Sequence, residues 1–294
     1  MRKLRFAIFG NIYQAKKSTL VKKLLCSLEE RGAEIYIDRP FYDYLTQQLL
    51  LDISPKALID DDHFEADYAV SMGGDGTFLQ TASRVRDKGI PIIGINMGRM
   101  GFLADVGADE IDQAIELIFE GSCRIEERSV LKVESTDALS IFPYALNEVA
   151  VLKRDNSSMI SIRVDINDEY LTTYQADGLI INTPTGSTGY ALSVGGPIMS
   201  PESQSIGITP VAPHSLNMRP ITLPDQAKVT LSVESRNHNF LVAIDGRSDA
   251  CTEGVRLTIC RAPYNIKVVK RPESSFFRTL RTKLMWGNDV RIEN

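Results

Sequence analysis

Cysteine, histidine and tryptophan are scarce in this chain of 294 residues, which has four cysteines, three histidines and one tryptophan. Cys26, Cys123, Cys251 and Cys260 lie far apart and form no CxxC pair. Neither a disulfide framework nor a zinc site is therefore predicted. Isolated cysteines of this kind are typical of a protein that works in a reducing cytoplasm.

Long apolar runs are also lacking, so no membrane span is predicted. The basic start, residues 1–3, leads into a short apolar run at 4–9, which predicts a first strand and not a signal peptide. The net charge of −5 gives no broad basic surface for duplex nucleic acid. Any recognition of phosphate must therefore be local. With 43% hydrophobic residues, the chain is long enough for two domains with their own cores.

The pattern of apolar residues changes near residue 123. Up to residue 122, strand and helix signals alternate, which predicts an α/β domain with a Rossmann-like parallel sheet. From 123 to 272, short strand signals separated by turns predict a mostly β, sandwich-like domain, with a hairpin at Asn167-Asp168. Residues 273–294 contain an amphipathic helix at 275–286, which we expect to pack back on the first domain.

The segment Ser71-Met72-Gly73-Gly74-Asp75-Gly76-Thr77 joins a predicted buried strand to a predicted helix. Free backbone N–H groups at the start of a helix bind phosphate, and glycine lets the phosphate approach. Asp75 would repel a phosphate unless it holds a cation or accepts a proton, which makes it a candidate base for phosphoryl transfer. The alternative is a tight turn in which Asp75 is only the helix N-cap.

Two other nucleotide motifs are incomplete. Residues 10–18 resemble a P-loop, but Asn11 and Lys16 stand where its glycines belong. Gly94, Gly98 and Gly101 have the spacing GxxxGxxG, so they do not form a dinucleotide-binding fingerprint.

A second glycine-rich segment, residues 177–190, lies in the β half and is followed by Gly195-Gly196-Pro197. Its hydroxyls and backbone N–H groups, at the start of a predicted helix, are suited to a nucleotide's phosphates or ribose. The alternative is a capped helix that follows a buried strand.

Four motifs together resemble the ATP-dependent NAD kinases of bacteria over most of the chain. They are GGDGT at 73–77, LNE at 146–148, DGLIINTPTGSTGYALSVGGP at 177–197 and PHSLNMRP at 213–220, with a further DG pair at Asp245-Gly246. The GGDGT motif alone is shared with lipid kinases and phosphofructokinases. The segment TPTGST with the downstream DG pair is more specific.

The resemblance implies transfer of the γ-phosphate of ATP to the 2′-hydroxyl of the adenosine ribose of NAD, with a divalent cation such as Mg²⁺. It implies that Asp75 accepts the hydroxyl proton and that the neighbouring glycines admit phosphates. Asn147 and Glu148 would contact the ribose and diphosphate, and Asp177 the nicotinamide side. The remaining implied contacts are Gly73, Gly74, Gly76, Ser158, Gln175, Ala212, Arg247 and, around the adenine, Thr188, Gly189, Tyr190, Ala191, Leu192 and Ser193.

The resemblance further implies a homo-oligomer, dimer or tetramer, with small-molecule substrates and with neither a nucleic-acid nor a membrane partner. No protein ligands for a metal are predicted. Gly189 departs from the family, which usually has alanine there. If Gly189 has helical dihedrals and is a neutral change, alanine should stabilise the protein and leave NAD binding nearly unchanged. The alternative is that the adenine-facing surface needs the room that a methyl group would fill. Two alternatives stay open: a lipid kinase of the diacylglycerol type, and a nucleotide-sensing module without turnover.

Overall fold

The computed structural model describes residues 3–12, 18–98, 101–154 and 159–287. The chain forms two compact units, residues 1–127 with 266–294 and residues 128–265. Each unit has its own hydrophobic core. The domain limits at 122 and 272 that the sequence indicates remain predictions.

The first unit alternates strands and helices. Helix α1 buries Val21, Leu24 and Leu28 on one face, a spacing of three and four residues. A π-helical turn, Tyr44–Gln48, extends α2, and a 3₁₀ turn, Ala108–Glu110, precedes α4. The elements are β1 (Arg5–Gly10), α1 (Ser18–Glu30), β2 (Glu34–Asp38), α2 (Arg39–Asp43), β3 (Ala57–Ile59), β4 (Tyr68–Gly73), α3 (Asp75–Val85), β5 (Ile92–Asn96), α4 (Ile111–Phe119) and, near the C-terminus, α6 (Phe276–Leu284).

The strands of this unit form a parallel sheet in the order β3-β2-β1-β4-β5. From β1 the chain adds β2 and then β3 towards one edge of the sheet. From β4 it adds β5 towards the other edge. The order therefore reverses between β1 and β4, where open α/β sheets bind their ligands beyond the carboxyl ends of the strands. The GGDGT motif follows β4 at this reversal point, and a hydrogen bond from Asn11 N to Met72 O (3.0 Å) joins the two strand ends.

The second unit is built from antiparallel strands. Its elements, two of whose strands also run into the first unit, are β6 (Arg124–Ser135), β7 (Tyr144–Ala145), β8 (Glu148–Lys153), β9 (Ile160–Ile166), β10 (Glu169–Ala176), β11 (Gly178–Asn182), a 3₁₀ turn (Thr185–Thr188), α5 (Tyr190–Ser193), β12 (Ser205–Val211), β13 (Ile221–Pro224), β14 (Val229–Glu234), β15 (Asn239–Ile244), β16 (Arg247–Thr252) and β17 (Arg256–Lys270).

These strands make two layers. One is a six-stranded sheet in the order β13-β12-β11-β8-β15-β16, and the other contains β10-β9-β14-β17. Val151 and Ile181 of the first layer share one buried cluster with Ile162 and Leu231 of the second. The α/β unit, the sandwich-like β unit and the C-terminal helix confirm the predicted fold class.

Turns decide where several strands end. Asn167 and Asp168 have φ of 51° and 68°, as a two-residue hairpin turn of type I′ requires, and this confirms the predicted hairpin. Strands β3 and β16 have no counterpart among the predictions. Strands β7 and β8 are separated by residues 146–147, whereas β17 runs without a break through 256–270.

Helix α6 belongs to the first unit and packs against its other elements. Leu280 is its buried apolar residue, and the Lys283 ammonium lies 5.1 Å from the centre of the Phe102 ring. Arg124 Nη2 also donates to Ser274 O, just before the helix. Over the residues that the structure describes, no helix has both the length and the apolar character needed to cross a bilayer.

Candidate active site

The GGDGT motif forms a sharp strand-to-helix turn. Strand β4 ends at Gly73, Gly74 is the N-cap residue and α3 begins at Asp75. The helix forms because Phe78, Ala82 and Val85 bury one face. A Cβ at Gly73 would lie 2.1 Å from Thr77 Oγ1, so this position needs glycine. The first N–H groups of α3 have no partner within the helix, as at any helix start.

The Asp75 carboxylate is held by a loop 27 residues further along the chain. Its Oδ2 accepts from Phe102 N (2.9 Å), and its Oδ1 accepts from Leu103 N (3.1 Å) and Ala104 N (3.0 Å). The N-cap residue of α3 is Gly74, and Asp75 is the first residue of the helix. The N-cap interpretation of Asp75 is therefore wrong, because the carboxylate faces another loop and not its own helix.

Gly101 makes this contact possible. A Cβ there would lie 1.8 Å from Asp75 Oδ1, so only glycine lets the carboxylate approach. Gly101 N donates to Ala104 O (2.9 Å), which closes the turn that presents the three N–H groups. Asn96, buried at the end of β5, donates from Nδ2 to the same Ala104 O (3.1 Å). The end of β5 thus braces the loop that orients Asp75.

A second aspartate orients the predicted Asn147–Glu148 pair. Asp245 Oδ2 accepts from Leu146 N (2.7 Å), and Oδ1 accepts from Asn147 N (2.9 Å) and Glu148 N (3.2 Å). Asp245 and Gly246 have φ of 47° and 79° in the two-residue turn between β15 and β16. Backbone of this left-handed kind favours glycine, and asparagine and aspartate tolerate it.

The second glycine-rich segment wraps around the same pair. Thr183 N donates to Asn147 O (2.9 Å), and Thr183 Oγ1 donates to Leu146 O (2.6 Å). A Cβ at Gly186 would lie 2.1 Å from Asn147 O. The motifs at 146–148, 183–189 and 245–246 thus meet at one end of the six-stranded sheet.

Three acceptor atoms at this end are buried without a hydrogen bond to any described residue: Asn147 Oδ1, Glu148 Oε2 and Asn182 Oδ1, the last on the residue of β11 that pairs with Glu148. Burial, and secondly the charge of Asp245, raise the pKa of Glu148 to about 7, although the backbone N–H of Tyr190 acts in the opposite direction. Burial likewise raises the pKa of Asp245, against the effect of its three N–H bonds and of Arg247. Buried acceptors without partners are costly in a folded protein, and a ligand's hydroxyl groups would satisfy them.

Gly189 does not have the helical dihedrals on which its predicted replacement depended. It separates the 3₁₀ turn from α5, with φ of −96° and ψ of −131°. A Cβ there would lie 2.9 Å from Glu148 Oε2, 3.2 Å from Gly186 O and 3.4 Å from Asn147 Nδ2. The expectation that alanine would stabilise a helical turn is wrong, because the residue ends one helical turn and packs against the Asn147–Glu148 pair.

The other predicted residues on this side differ in exposure. Tyr190 is exposed, whereas Ala191 is buried against Ala150 and Ile180 of the sheet. Thr188 and Ser193 make hydroxyl bonds to carbonyls three residues earlier, and Leu192 is half-buried.

Arg247 begins β16 next to Asp245. Its Nη2 donates to Tyr144 O (3.2 Å), and its guanidinium lies 5.4 Å from the centre of the Phe142 ring. Burial lowers its pKa, against the nearby charge of Asp245.

Two predicted residues, Asp177 and Ala212, lie at the opposite end of the six-stranded sheet, and a third, Gln175, is on a strand of the other layer. Asp177 precedes β11 and pairs with Lys153 at the end of β8 (2.7 Å). Ala212 follows β12, is exposed and has φ of 46°. Gln175 lies near the end of β10, and its carbonyl accepts from His214 N (2.8 Å). The five residues of β11 separate Asp177 and Ala212 from Asn147 by about 16 Å. Ser158 lies outside the described residues.

Within the described ranges, no group of three or more histidine, cysteine, aspartate or glutamate side chains could hold a metal ion. All four cysteines are free.

The positions that sequence reasoning missed are Gly101, with the loop it begins, and the contacts of Asp245. The spacing of Gly94, Gly98 and Gly101 indicated a glycine-containing loop after a strand. It does not reveal that this loop binds the carboxylate of Asp75, 27 residues earlier in the chain. The DG pair was a signal of a turn, and its carboxylate contacts are not visible in the sequence.

Comparison with known proteins agrees with these motifs. Residues 6–123 match the family model of the ATP-NAD kinase N-terminal domain, and residues 146–271 match that of the ATP-NAD kinase C-terminal domain. An NAD kinase from Bacteroides fragilis is 59% identical over 290 residues, covering 98% of this chain and 100% of that protein. An NAD kinase from Porphyromonas gingivalis is 42% identical over 287 residues, with 98% and 99% covered.

Two solved structures are similar in fold. A yeast NADH kinase in complex with NADH has a TM-score of 0.89 at 21% identity, covering 99% of this chain and 90% of that one. An NAD kinase from Archaeoglobus fulgidus in complex with ATP has a TM-score of 0.75 at 25% identity, with 96% and 99% covered.

Proposed function

We propose, because this chain belongs to the NAD kinase family, that Asp75 is the base of its reaction and that Asn147 and Glu148 hold the ribose. The enzyme is a phosphotransferase with an alcohol acceptor. It transfers the γ-phosphate of ATP to the 2′-hydroxyl of the adenosine ribose of NAD and so makes NADP. Neither a lipid kinase nor a sensing module gains support from the comparisons.

The observation that carries the proposal for Asp75 is its orientation. Three backbone N–H groups fix the carboxylate at the reversal point of the parallel sheet. Oδ2 accepts only one of them among the described residues, so an acceptor site on that oxygen is available to a substrate hydroxyl. A ribose hydroxyl is a poor nucleophile, and a fixed carboxylate accepts its proton as the phosphoryl group is transferred.

The glycines around Asp75 serve the phosphates in this proposal. Gly74 and Gly76 have open space where a Cβ would be, at the start of α3. Phosphate oxygens can therefore reach the free N–H groups of the first helical turn. Phosphoryl transfer needs positioning and charge neutralisation more than covalent chemistry.

A divalent cation, Mg²⁺, belongs to the proposal as a companion of ATP. Mg²⁺ keeps several of its waters and is commonly bound by substrate phosphates with one or two carboxylates. The described residues contain no dedicated cluster of ligands, and Asp75 is the carboxylate next to the predicted phosphate site. The cation would neutralise charge on the transferred phosphate.

Asn147 and Glu148 offer unpaired acceptors, Oδ1 and Oε2, to ribose hydroxyls. Residues 188–193 would line the adenine and Arg247 would contact the substrate nearby, as the resemblance implies. Asp177 and Ala212 would contact NAD from the other end of the sheet, and Gln175 and Ser158 have the same implied role.

We also propose that the protein is a homo-oligomer, and the separation of these two groups of residues supports this. A second copy could supply Asp177 and Ala212 to the NAD molecule held by Asn147 and Glu148. We place the protein in a reducing cytoplasm, in keeping with its four free cysteines.

Asp75→Asn tests the base. The amide keeps the size of the side chain and an acceptor for Leu103 and Ala104, but it cannot accept the proton. We expect kcat to fall by about 10²–10⁴-fold while NAD affinity by calorimetry changes little. Asp87→Asn, an exposed aspartate after α3, is the control for loss of one charge. Near-normal turnover of Asp75→Asn would remove this residue from the role of base.

Mixing two inactive variants tests the shared site. Asn147→Ala and Asp177→Ala subunits are each expected to bind NAD poorly, and their mixed oligomers should recover a fraction of sites that have both intact groups. No recovery after exchange of subunits, shown by mass measurement, would assign both groups to one chain.

A further inference from the structure

We propose that Asp245 is a positioning residue for substrate binding: its carboxylate fixes the backbone of residues 146–148 and so aims the side chains of Asn147 and Glu148 at NAD. This inference rests on the proposed role of that pair. Nothing in the motif comparison assigns a task to the Asp245 side chain, and it reaches the substrate only through its neighbours.

The hydrogen bonds of Asp245 use up every N–H group of the segment. Leu146, Asn147 and Glu148 all donate to its two oxygens, at 2.7, 2.9 and 3.2 Å. Asp245 N in turn donates to Glu148 O (3.1 Å). The turn and the segment are thus bonded in both directions.

The carbonyls of the same segment are held from the other side. Thr183 donates its hydroxyl to Leu146 O (2.6 Å) and its N–H to Asn147 O (2.9 Å). The strand ladder breaks here, between β7 and β8, so these groups have no strand partner. Hydrogen bonds from Asp245 and Thr183 take the place of the missing strand hydrogen bonds. They leave the backbone of Asn147 with little conformational freedom.

The side chains show the opposite pattern. Asn147 Oδ1 and Glu148 Oε2 are buried and have no hydrogen bond to any described residue, although the backbone that carries them is fully paired. A merely structural turn does not need such unpaired acceptors. An oriented backbone with open side-chain acceptors is the arrangement of a preorganised binding site, because the substrate then does not have to order the groups that bind it.

The main experiment replaces Asp245 with asparagine, which tolerates the positive φ of the turn. The amide nitrogen would face at least one backbone N–H, so the clamp loses hydrogen bonds. We expect the KM for NAD to rise about tenfold or more, while kcat at saturating NAD falls less than threefold. Asp168→Asn is the matched control, because it removes an exposed aspartate from the other type I′ turn of the same unit. It should leave both constants within twofold.

A double-mutant cycle separates positioning from general stability. In an Asn147→Ala/Glu148→Ala background neither proposed binding side chain remains to be oriented, so Asp245→Asn should weaken NAD binding by less than a further twofold. The inference would be overturned if Asp245→Asn weakened NAD binding by the same factor in this background as in wild type. It would also be overturned if the KM of Asp245→Asn for NAD lay within twofold of that of the Asp168→Asn control. If the Asn147→Ala/Glu148→Ala variant alone binds NAD normally, the proposed role of the pair fails, whatever Asp245 does.

The pH dependence gives a readout that a structural role does not predict. Glu148 is faced by the Asp245 carboxylate, the Asn147 side chain and the backbone N–H of Tyr190, and Arg247 is the charged neighbour of Asp245. Removing the Asp245 charge should move the inflection of NAD affinity near pH 7 to lower pH. An unmoved inflection counts against the inference. If Asp245→Asn does not fold, Asp245→Gly keeps the positive φ and is measured in the same assays.

Discussion

Asp75 and Asp245 perform the same local task in two different units. Each carboxylate accepts three backbone N–H bonds, from 102–104 and from 146–148 respectively. Asp75 begins a helix after a parallel strand, whereas Asp245 occupies a hairpin turn between antiparallel strands. The two are therefore separate solutions to one problem, which is the orientation of a loop that no strand ladder holds.

The difference lies in which partner faces the substrate. At Asp75 the carboxylate is the proposed reactive group and the loop is its support. At Asp245 the carboxylate is the support, and the proposed binding groups are the side chains of the loop that it holds. The same hydrogen-bond pattern can thus orient either the carboxylate or the loop that donates to it. The pattern alone therefore does not identify a catalytic aspartate.

The largest effect should come from breaking the support of Asp75. In Gly101→Ala the new Cβ would lie 1.8 Å from Asp75 Oδ1, so the carboxylate must leave its three N–H groups. A displacement of about 1 Å at a reacting group costs about a hundredfold, and we expect at least that loss in kcat. Steady-state kinetics with saturating ATP and NAD measures it.

Gly107→Ala is the control for that experiment. Its Cβ would meet only the flexible end of Glu110, at 3.1 Å, in the segment that follows the same loop. Its kcat should stay within threefold of wild type. Equal losses in the two variants would show that the loop, and not the orientation of Asp75, is what glycine protects.

These contacts also mark the limit of what the sequence reveals. The Asn167-Asp168 turn was predictable because its signal is local: two turn residues between two alternating strands. Strand β16 was not, because its sequence RSDACT has little apolar alternation and is defined by pairing with β15. Strand β17 contains Pro263, a signal that locally favours a break. The site motifs were recognisable, but the partners of Asp75 and Asp245 lie 27 and about 100 residues away, where only the fold brings them into contact.

A smaller effect should appear in the stability of the Asp245 region. The pKa of Glu148 is raised to about 7 in the folded protein from an ordinary 4.5, mainly by burial. The folded state therefore holds the proton more tightly, and this group's contribution to stability falls as pH rises from about 4.5 to 7. Glu148→Gln has no such loss. Between pH 5 and pH 8 it should gain about 2 kcal/mol relative to wild type, a figure already reduced because Glu148 is partly exposed.

Thermal melting without substrate at the two pH values measures this gain. For a chain of this size, 2 kcal/mol corresponds to about 4–8 °C in melting temperature. Glu169→Gln, at an exposed position of β10, is the control. Its melting temperature should differ from that of wild type by the same amount at both pH values. A Glu148→Gln curve parallel to wild type would mean that Glu148 is ionised without penalty.

The smallest effect is expected at Gly189, where the resemblance implies alanine in most relatives. Its Cβ would lie 2.9 Å from Glu148 Oε2 and 3.2 Å from Gly186 O. The carboxylate is the flexible end of a side chain and can move by a few tenths of an ångström, so the cost should stay near 1 kcal/mol, the low end for overpacking. Gly189→Ala should lower the melting temperature by about 2–4 °C and raise the KM for NAD by two- to fivefold.

A second background decides whether Glu148 is the cause. In Glu148→Ala the colliding oxygen is gone, so adding Gly189→Ala should no longer lower the melting temperature. A penalty that persists there would assign the strain to Gly186 O, which is backbone and cannot move as easily. A Gly189→Ala protein more stable than wild type in the original background would show that Glu148 readily adopts a second position, and that Asp245 restrains the Glu148 backbone without fixing its carboxylate.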